Sequence, residues 1–394
     1  MRDSVACLLP ALALSLALMA CNQALGPSSP TPLPSATPSA TPPPTNTPSP
    51  TPEPTRTPYP TDWAPTLREL ADAAGLELGT QLTGGATGPL LDAAPLWKNR
   101  VLSDFNSVTI DSGIYWPDDV EPLPGEFDFS IADRQVAFAR ANGLTIRGHA
   151  LVYPSCAFCM RGWILARPFS ADELTAILEA HVGQVVGHFR GQMQEWVVVN
   201  EPYRAPGREA DLFYDALGWN YVATAFQAAR EADPSALLIF NDTDNHTLEG
   251  WTTPQTWRIV RHLKGLGLVD GVGLQMHLDG SAPPPKEAVI AAMRSYGVPV
   301  VVTEFDVNMT RVGGTQTDRE ALQAAVYRDM LEACLESGVC RSFTVWGIGD
   351  KYSWLETYQS LPNADATMYD DQLEPKPAYF AVYDALLRYV TAQP

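Results

Sequence analysis

Two glutamates stand where a carboxylate is expensive. Glu201 closes the run Trp196-Val197-Val198-Val199-Asn200 and is followed by Pro202, which stops a strand. Glu304 closes the run Val300-Val301-Val302-Thr303. A charged group at the margin of a core costs free energy unless it is paired or used. Taken singly, each could be a salt-bridged residue at a strand end. Facing one another across a cleft, they would be the minimum machinery for hydrolysing a glycosidic bond with retention. One would be protonated and donate to the leaving oxygen, while the other, ionised, attacks the sugar carbon. That chemistry wants the two carboxyl groups about 5–5.5 Å apart, with no water between them.

Other apolar runs end in the same way. Gly273-Leu274-Gln275-Met276-His277, Ile146-Arg147-Gly148-His149 and Thr344-Val345-Trp346 all turn polar or aromatic at their C-terminal ends. Eight such runs can be traced: 76–82, 108–111, 144–151, 196–200, 237–241, 271–277, 298–306 and 343–347. Amphipathic helical patterns lie between them, among others at 171–189, 214–232, 256–266 and 319–336. Continuous apolar strands alternating with helices indicate a parallel sheet buried on both faces. Eight of them in roughly 330 residues fit a single (β/α)8 TIM barrel of the α/β class, whose active site gathers at the C-terminal strand ends. A doubly wound open sheet is the alternative, but no glycine-rich phosphate fingerprint follows any strand.

The chain has 394 residues and a net charge of -19, which argues against a nucleic-acid partner. Of its 35 prolines, 14 lie between Pro27 and Pro60 among Thr and Ser. That stretch cannot bury enough surface to fold and reads as an extended spacer. Before it, the apolar run Ala6–Ala20 is too short to span a bilayer and suits a secretory signal. It ends in Leu18-Met19-Ala20-Cys21, similar to the box that directs lipidation of a bacterial lipoprotein at Cys21. The expected layout is a signal with its lipobox cysteine over 1–21, a Pro/Thr/Ser-rich linker over 22–61 and the barrel over 62–394. The protein is expected outside the cell, bound to the membrane only through a lipid anchor, and monomeric.

The two glutamate motifs together resemble family-10 glycoside hydrolases, the endo-1,4-β-xylanases. Val199-Asn200-Glu201-Pro202 is similar to the acid/base motif of that family, and Thr303-Glu304-Phe305-Asp306 to its nucleophile motif, 103 residues further on. Arg147-Gly148-His149-Ala150-Leu151-Val152 resembles the third-strand motif. Thr344-Val345-Trp346-Gly347 through Ser353-Trp354 resembles the eighth-strand end, and Pro375-Lys376-Pro377-Ala378-Tyr379 the closing segment. The resemblance implies retaining cleavage of xylan by double displacement, without cofactor or metal, with a polysaccharide or oligosaccharide as partner. Glu201 would be the acid/base and Glu304 the nucleophile. Asn200 would bind the sugar 2-hydroxyl, Gln275 would touch the acid/base, and His277 would orient Glu304. His149, Trp346 and Trp354 would line the sugar next to the cleaved bond, with Trp116, Asp111 and Tyr115 at the second sugar.

That second sugar site departs from the family pattern. Asp111, Ser112 and Tyr115 stand where Glu, Asn and Lys are usual, Tyr153 stands for Trp, and Thr243 for Tyr. A shifted specificity is therefore the alternative: decorated xylan, mixed-linkage glucan or short oligosaccharides. A non-catalytic glycan-binding protein is disfavoured, because a binder needs neither carboxylate. Related enzymes often join the pair matching Cys334 and Cys340. Cys156 and Cys159 could form a redox pair, but a disulfide bracing the loop after the third strand is the expectation. Asp242, Asp244 and His246 read as a loop at the barrel mouth, not a metal site.

Overall fold

The computed structural model describes residues 65–82, 94–111, 113–117, 119–156, 162–202 and 211–392. The expected leader with Cys21, the Pro-rich linker, Ser112 and Cys159 lie outside the described residues. Among the described residues nine parallel strands follow in chain order: β1 Glu77–Leu82, β2 Ser107–Ile110, β3 Thr145–Val152, β4 Glu195–Asn200, β5 Leu237–Asp242, β6 Gly271–Leu274, β7 His277–Asp279, β8 Val300–Asn308 and β9 Cys340–Val345. Their order is β6-β5-β4-β3-β2-β1-β9-β8-β7, and β6 also pairs with β8, so eight strands close into the expected (β/α)8 barrel.

Two expected elements come out differently. The helix anticipated over 214–232 is two helices, Leu212–Leu217 and Asn220–Ala232. Gly218, at φ 59°, ends the first and returns its N–H to Tyr214. The strand anticipated over 271–277 stops at Leu274. Met276 takes φ 60°, a left-handed conformation that breaks the ladder. His277 resumes as the short β7, opposite Asp306 of β8.

Helix ends carry their own signals. Thr66, Ser170 and Thr315 each form a reciprocal capping box, with Glu69, Glu173 and Asp318 respectively. Cys334 and Cys340 form a disulfide that ties the end of the Gln316–Ser337 helix to the first residue of β9.

The barrel interior is polar beneath the catalytic face. Arg147 of β3 bonds Glu195 of β4 at 2.8 Å, Thr344 at 2.9 Å and Ser342 at 2.8 Å, with both charges almost wholly buried. Arg341 adds a second cation to Glu195 at 2.6 Å. Removing one member would leave a buried charge unpaired, at a cost of about 3–5 kcal/mol. Residues two apart on a strand share a face, so Arg147 stands below His149 and gives it a rigid floor.

Candidate active site

A cavity of about 500 Å³ opens at the C-terminal ends of the strands. Each barrel strand, or the segment just beyond it, contributes to its wall. Gln81 comes from β1, Asp111 and Tyr115 follow β2, His149, Tyr153 and Ser155 come from β3 and its loop, and Glu201 follows β4. Thr243 follows β5, Gln275 follows β6, Glu304 is on β8 and Trp346 follows β9. His277 of β7 and Trp354, Tyr358 and Gln359 complete it.

Glu201 and Glu304 meet in this cavity, joined by a chain of amides. Gln275 Nε2 donates to Glu201 Oε1 at 2.9 Å and to Asn200 Oδ1 at 3.2 Å. Asn241 Nδ2 donates to Asn200 Oδ1 at 2.8 Å and to Glu304 Oε1 at 2.6 Å. The Thr303 hydroxyl fixes the orientation of Asn241 by donating to its Oδ1 at 2.8 Å. Gly273 leaves room for that amide, since a Cβ there would lie 2.0 Å from Asn241 Oδ1. Asn200 accepts through its oxygen, so the group it can offer a sugar hydroxyl is its NH2.

Glu201 itself sits at φ 46°, in a region a side chain rarely occupies. Strain of order 1–3 kcal/mol per such residue persists where the surroundings over-determine it, and it clusters at active sites. Here Pro202 follows, and the hydrogen bonds that hold the carboxyl include Tyr153 O–H to Oε1 at 2.7 Å, Ser155 Oγ to Oε2 at 3.3 Å, and Gln275.

On the other wall, His277 bridges two carboxylates. Its Nδ1 lies 2.9 Å from Asp306 Oδ2 and its Nε2 lies 3.2 Å from Glu304 Oε2. Both ring nitrogens face acceptors, so both must donate, and the ring is an imidazolium. Burial pushes this histidine down, but Asp306 foremost and then Glu304 raise it to about 10. Burial likewise acts to raise the Glu304 carboxyl. The charges of His149 and His277, with the hydrogen bonds from His277 and Asn241, outweigh it and hold Glu304 below the ordinary carboxylate value. Burial keeps His149 below its own ordinary value, so its share of that lowering applies only while its ring is protonated, whereas the bridged His277 carries its charge at neutral pH. Asp306 Oδ2 also accepts from Trp354 Nε1 at 2.7 Å. Trp354 is thereby locked against His277, with ring centroids 4.7 Å apart.

The triad makes a stability prediction. His277 binds its proton more tightly when folded than when unfolded. Its contribution, on the order of a few kcal/mol, is fully present below about pH 6.5 and is lost as the pH rises through about 10. The Tm difference between the parent and His277→Asn is expected to shrink from pH 7 to pH 10. A constant difference over that range would contradict the bridged imidazolium.

Of the expected sugar-binding residues, His149, Gln275, His277, Trp346, Trp354, Asp111 and Tyr115 all line the cavity. His149 Nδ1 lies 4.0 Å from Glu304 Oε1, and Trp346 meets the His149 ring edge-on at 5.4 Å. Gln81 donates to Asp111 through a short buried hydrogen bond, and Tyr115 stands edge-on to His149 at 6.3 Å. Trp116 is a correction. It is buried, stacks on His181 at 4.0 Å and on Phe213 at 5.5 Å, and does not line the cavity. It packs behind Tyr115 rather than under a sugar, because the loop turns its ring toward the core. Tyr153, Ser155, Asn241, Tyr358 and Gln359 were missed as site residues. Asn241 had a readable signal: like Asn200, it ends an apolar run in an amide. Cys156 also lines the cavity and is disulfide-bonded.

Comparison with known proteins gives a consistent picture. The description "Glycosyl hydrolase family 10" matches residues 66–385. The chain is 31% identical over 325 residues to endo-1,4-beta-xylanase B of Thermotoga neapolitana, covering 81% of this chain and 91% of that protein. It is 36% identical over 287 residues to an endo-1,4-beta-xylanase of Agaricus bisporus, covering 72% and 83%. Among solved structures, native xylanase 10B from Thermotoga maritima superposes with a TM-score of 0.75 at 28% identity, covering 83% of this chain and 100% of that one. Xylanase 10B from Thermotoga petrophila RKU-1, in complex with xylobiose, gives 0.75 at 27% identity, covering 83% and 99%.

Proposed function

The chain belongs to glycosyl hydrolase family 10, and from that premise we propose how its residues divide the work of a retaining endo-1,4-β-xylanase that hydrolyses xylan. Glu304, ionised, attacks the anomeric carbon. Glu201, protonated, gives its proton to the glycosidic oxygen as the C–O bond breaks, leaving a glycosyl ester on Glu304 and a free alcohol on the departing chain. Water then enters, Glu201 takes its proton, and the oxygen attacks the anomeric carbon, so the ester breaks and the Glu304 carboxylate returns. The observation that carries this reading is the asymmetry between the two carboxylates. Glu304 faces an imidazolium, which suits a group that must be charged to attack. Glu201 has a phenol, an alcohol and an amide among its partners, and no described histidine bridges it as His277 bridges Glu304.

Asn200, His149 and Gln275 would take hydroxyls of the sugar at the cleavage point, and Trp346 and Trp354 its apolar faces. The test is to follow xylo-oligosaccharide cleavage by proton NMR. The β anomer is expected first, with the α form growing in by mutarotation; α product first would exclude double displacement.

The neighbouring sugar site supports a narrower preference within this reading. Asp111, Gln81, Tyr115 and Tyr358 form that end of the cavity, and none of them is a cation. Tyr115→Lys is expected to lower KM for xylotriose about three- to tenfold with kcat little changed, as a gain in uniform binding does. An unchanged KM would mean that other residues already bind the second sugar.

We read the whole chain as an extracellular enzyme: a leader over 1–21 lipidated at Cys21, a spacer over 22–61 and the barrel over 62–394, monomeric and with no nucleic-acid partner. Xylan is a polymer met outside the cell, and the Cys334–Cys340 disulfide suits an oxidising compartment. Among the described residues no helix is long and apolar enough to cross a membrane. Labelling with a radioactive fatty acid, lost in Cys21→Ser, tests the anchor.

A further inference from the structure

The tyrosine at the second sugar end of the cavity is carried by an irregular loop, and that loop is fastened from behind. Residues 113–121 fold into a tight run of turns. Asp119 N–H donates to Tyr115 O at 3.0 Å, Glu121 N–H to Pro117 O at 3.0 Å, and Gly113 N–H to Asp119 Oδ2 at 2.8 Å. Tyr115 leaves this segment toward the cavity. Trp116 and Glu121 leave it toward the core, and both meet His181. The Trp116 ring lies on the His181 ring, with centroids 4.0 Å apart and planes 13° from parallel. Glu121 Oε2 lies 3.0 Å from His181 Nδ1, and Glu121 Oε1 accepts from Gly125 N–H at 2.8 Å.

His181 is itself held by regular structure. It belongs to the 18-residue helix Ala171–His188, and its Nε2 lies 3.2 Å from Leu151 O in β3. A carbonyl oxygen only accepts, so Nε2 carries a hydrogen. One proton then lies between Nδ1 and Oε2, on the ring or on the carboxyl. In either form the two groups are bonded and the pair is neutral as a unit. His181 and Glu121 are both almost wholly buried, and separating them would leave buried polar groups unmet, which is costly. Helix and strand are fixed by their own backbone ladders, whereas an irregular loop depends on its side-chain contacts. The pair therefore fixes the loop to the barrel rather than the reverse. Neither His181, Glu121 nor Trp116 lines the active-site cavity.

We propose that His181, with Glu121 and Trp116, is the mount that sets Tyr115 against the second sugar. The three are positioning residues for substrate preference, acting from behind the cavity wall. Trp116 backs the residue next to it in the chain, and His181 carries Trp116 on its ring and the rest of the loop through Glu121. This rests on Tyr115 standing at the second sugar.

The test compares a substrate that fills the second sugar site with one that does not. Values of kcat/KM are measured on 2,4-dinitrophenyl β-xylobioside, which places two sugars before the cleaved bond, and on 2,4-dinitrophenyl β-xyloside, which places one. His181→Phe keeps a ring beneath Trp116 and removes both hydrogen bonds. It is expected to lose about tenfold on the xylobioside and less than about twofold on the xyloside. Trp116→Phe removes part of the stack and no hydrogen bond, since Trp116 Nε1 has no hydrogen-bond partner among the described residues. Its expected loss of about threefold, selective in the same sense, decides the matter if His181→Phe does not fold. Glu121→Ala is expected to lose as much as His181→Phe, and Glu121→Gln to recover that loss. The glutamine NH2 can donate to Nδ1 while its oxygen keeps Gly125, and burial draws His181 toward the neutral ring that accepts there. Equal losses on both substrates, or no loss on either, would overturn the mount. A ratio between the two substrates left unchanged by Tyr115→Ala would instead defeat the placing of Tyr115 at the second sugar, which separates the two failures.

Discussion

Glu304→Ala is expected to leave a folded protein that binds xylo-oligosaccharides and turns them over at least about 10⁴-fold more slowly. Without a carboxylate at the anomeric carbon no glycosyl ester forms, and the remaining groups can only bind and protonate. The fold is expected to survive because of how Glu304 is held. Removing it takes one acceptor from His277, whose other ring nitrogen keeps Asp306 at 2.9 Å, so no charge is stranded. Asn241 loses Glu304 but keeps Asn200 at 2.8 Å and Thr303 at 2.8 Å. A buried carboxylate and its desolvation cost disappear together. The change in stability is therefore expected to stay within about 2 kcal/mol, far less than breaking an isolated buried ion pair. Calorimetric titration with xylotriose, beside turnover, separates the two properties. Turnover within tenfold of the parent would remove Glu304 from the nucleophile role.

The barrel was legible because several strands carry apolar runs, such as Trp196–Val199, Leu237–Phe240 and Val300–Val302, and such runs mean a sheet covered on both faces. The catalytic face was legible because these runs end in Asn200-Glu201, His149, Gln275, His277, Glu304 and Trp346, and barrel geometry brings all C-terminal ends together. What stayed hidden depends on pairing rather than type. Asp306 is one more acidic residue until β7 sets His277 opposite it. Tyr153 reads as a departure from the family pattern until its hydroxyl is seen on Glu201. Trp116 shows the converse failure. An aromatic side chain beside a binding site has the same composition whether it faces sugar or core, and only the path of an irregular loop decides between them. The split at Gly218 and the left-handed Met276 are of the same kind, since backbone conformations at single residues carry no periodic signal.

The acid/base variant should separate the two steps of the reaction. Glu201→Ala removes the carboxyl that gives and takes the proton, and the shortened side chain opens space beside the anomeric carbon. On xylan the leaving group is an ordinary alcohol that cannot depart unprotonated, and the loss is expected to be about 10³-fold. On 2,4-dinitrophenyl β-xylobioside the phenolate leaves unaided, so Glu304 still forms its ester at nearly the parent rate. The second step then stalls, because water has lost the base that takes its proton. A burst of one dinitrophenolate per enzyme followed by slow turnover is the expected trace. Azide needs no base: its nitrogen can attack the anomeric carbon through the vacated space, the ester bond breaks, and the Glu304 carboxylate is released. Turnover should therefore recover with azide, and the product should be the β-glycosyl azide, inverted once by Glu304 and once by azide. An α-azide would mean direct displacement with no ester, and would remove both glutamates from their assigned roles at once.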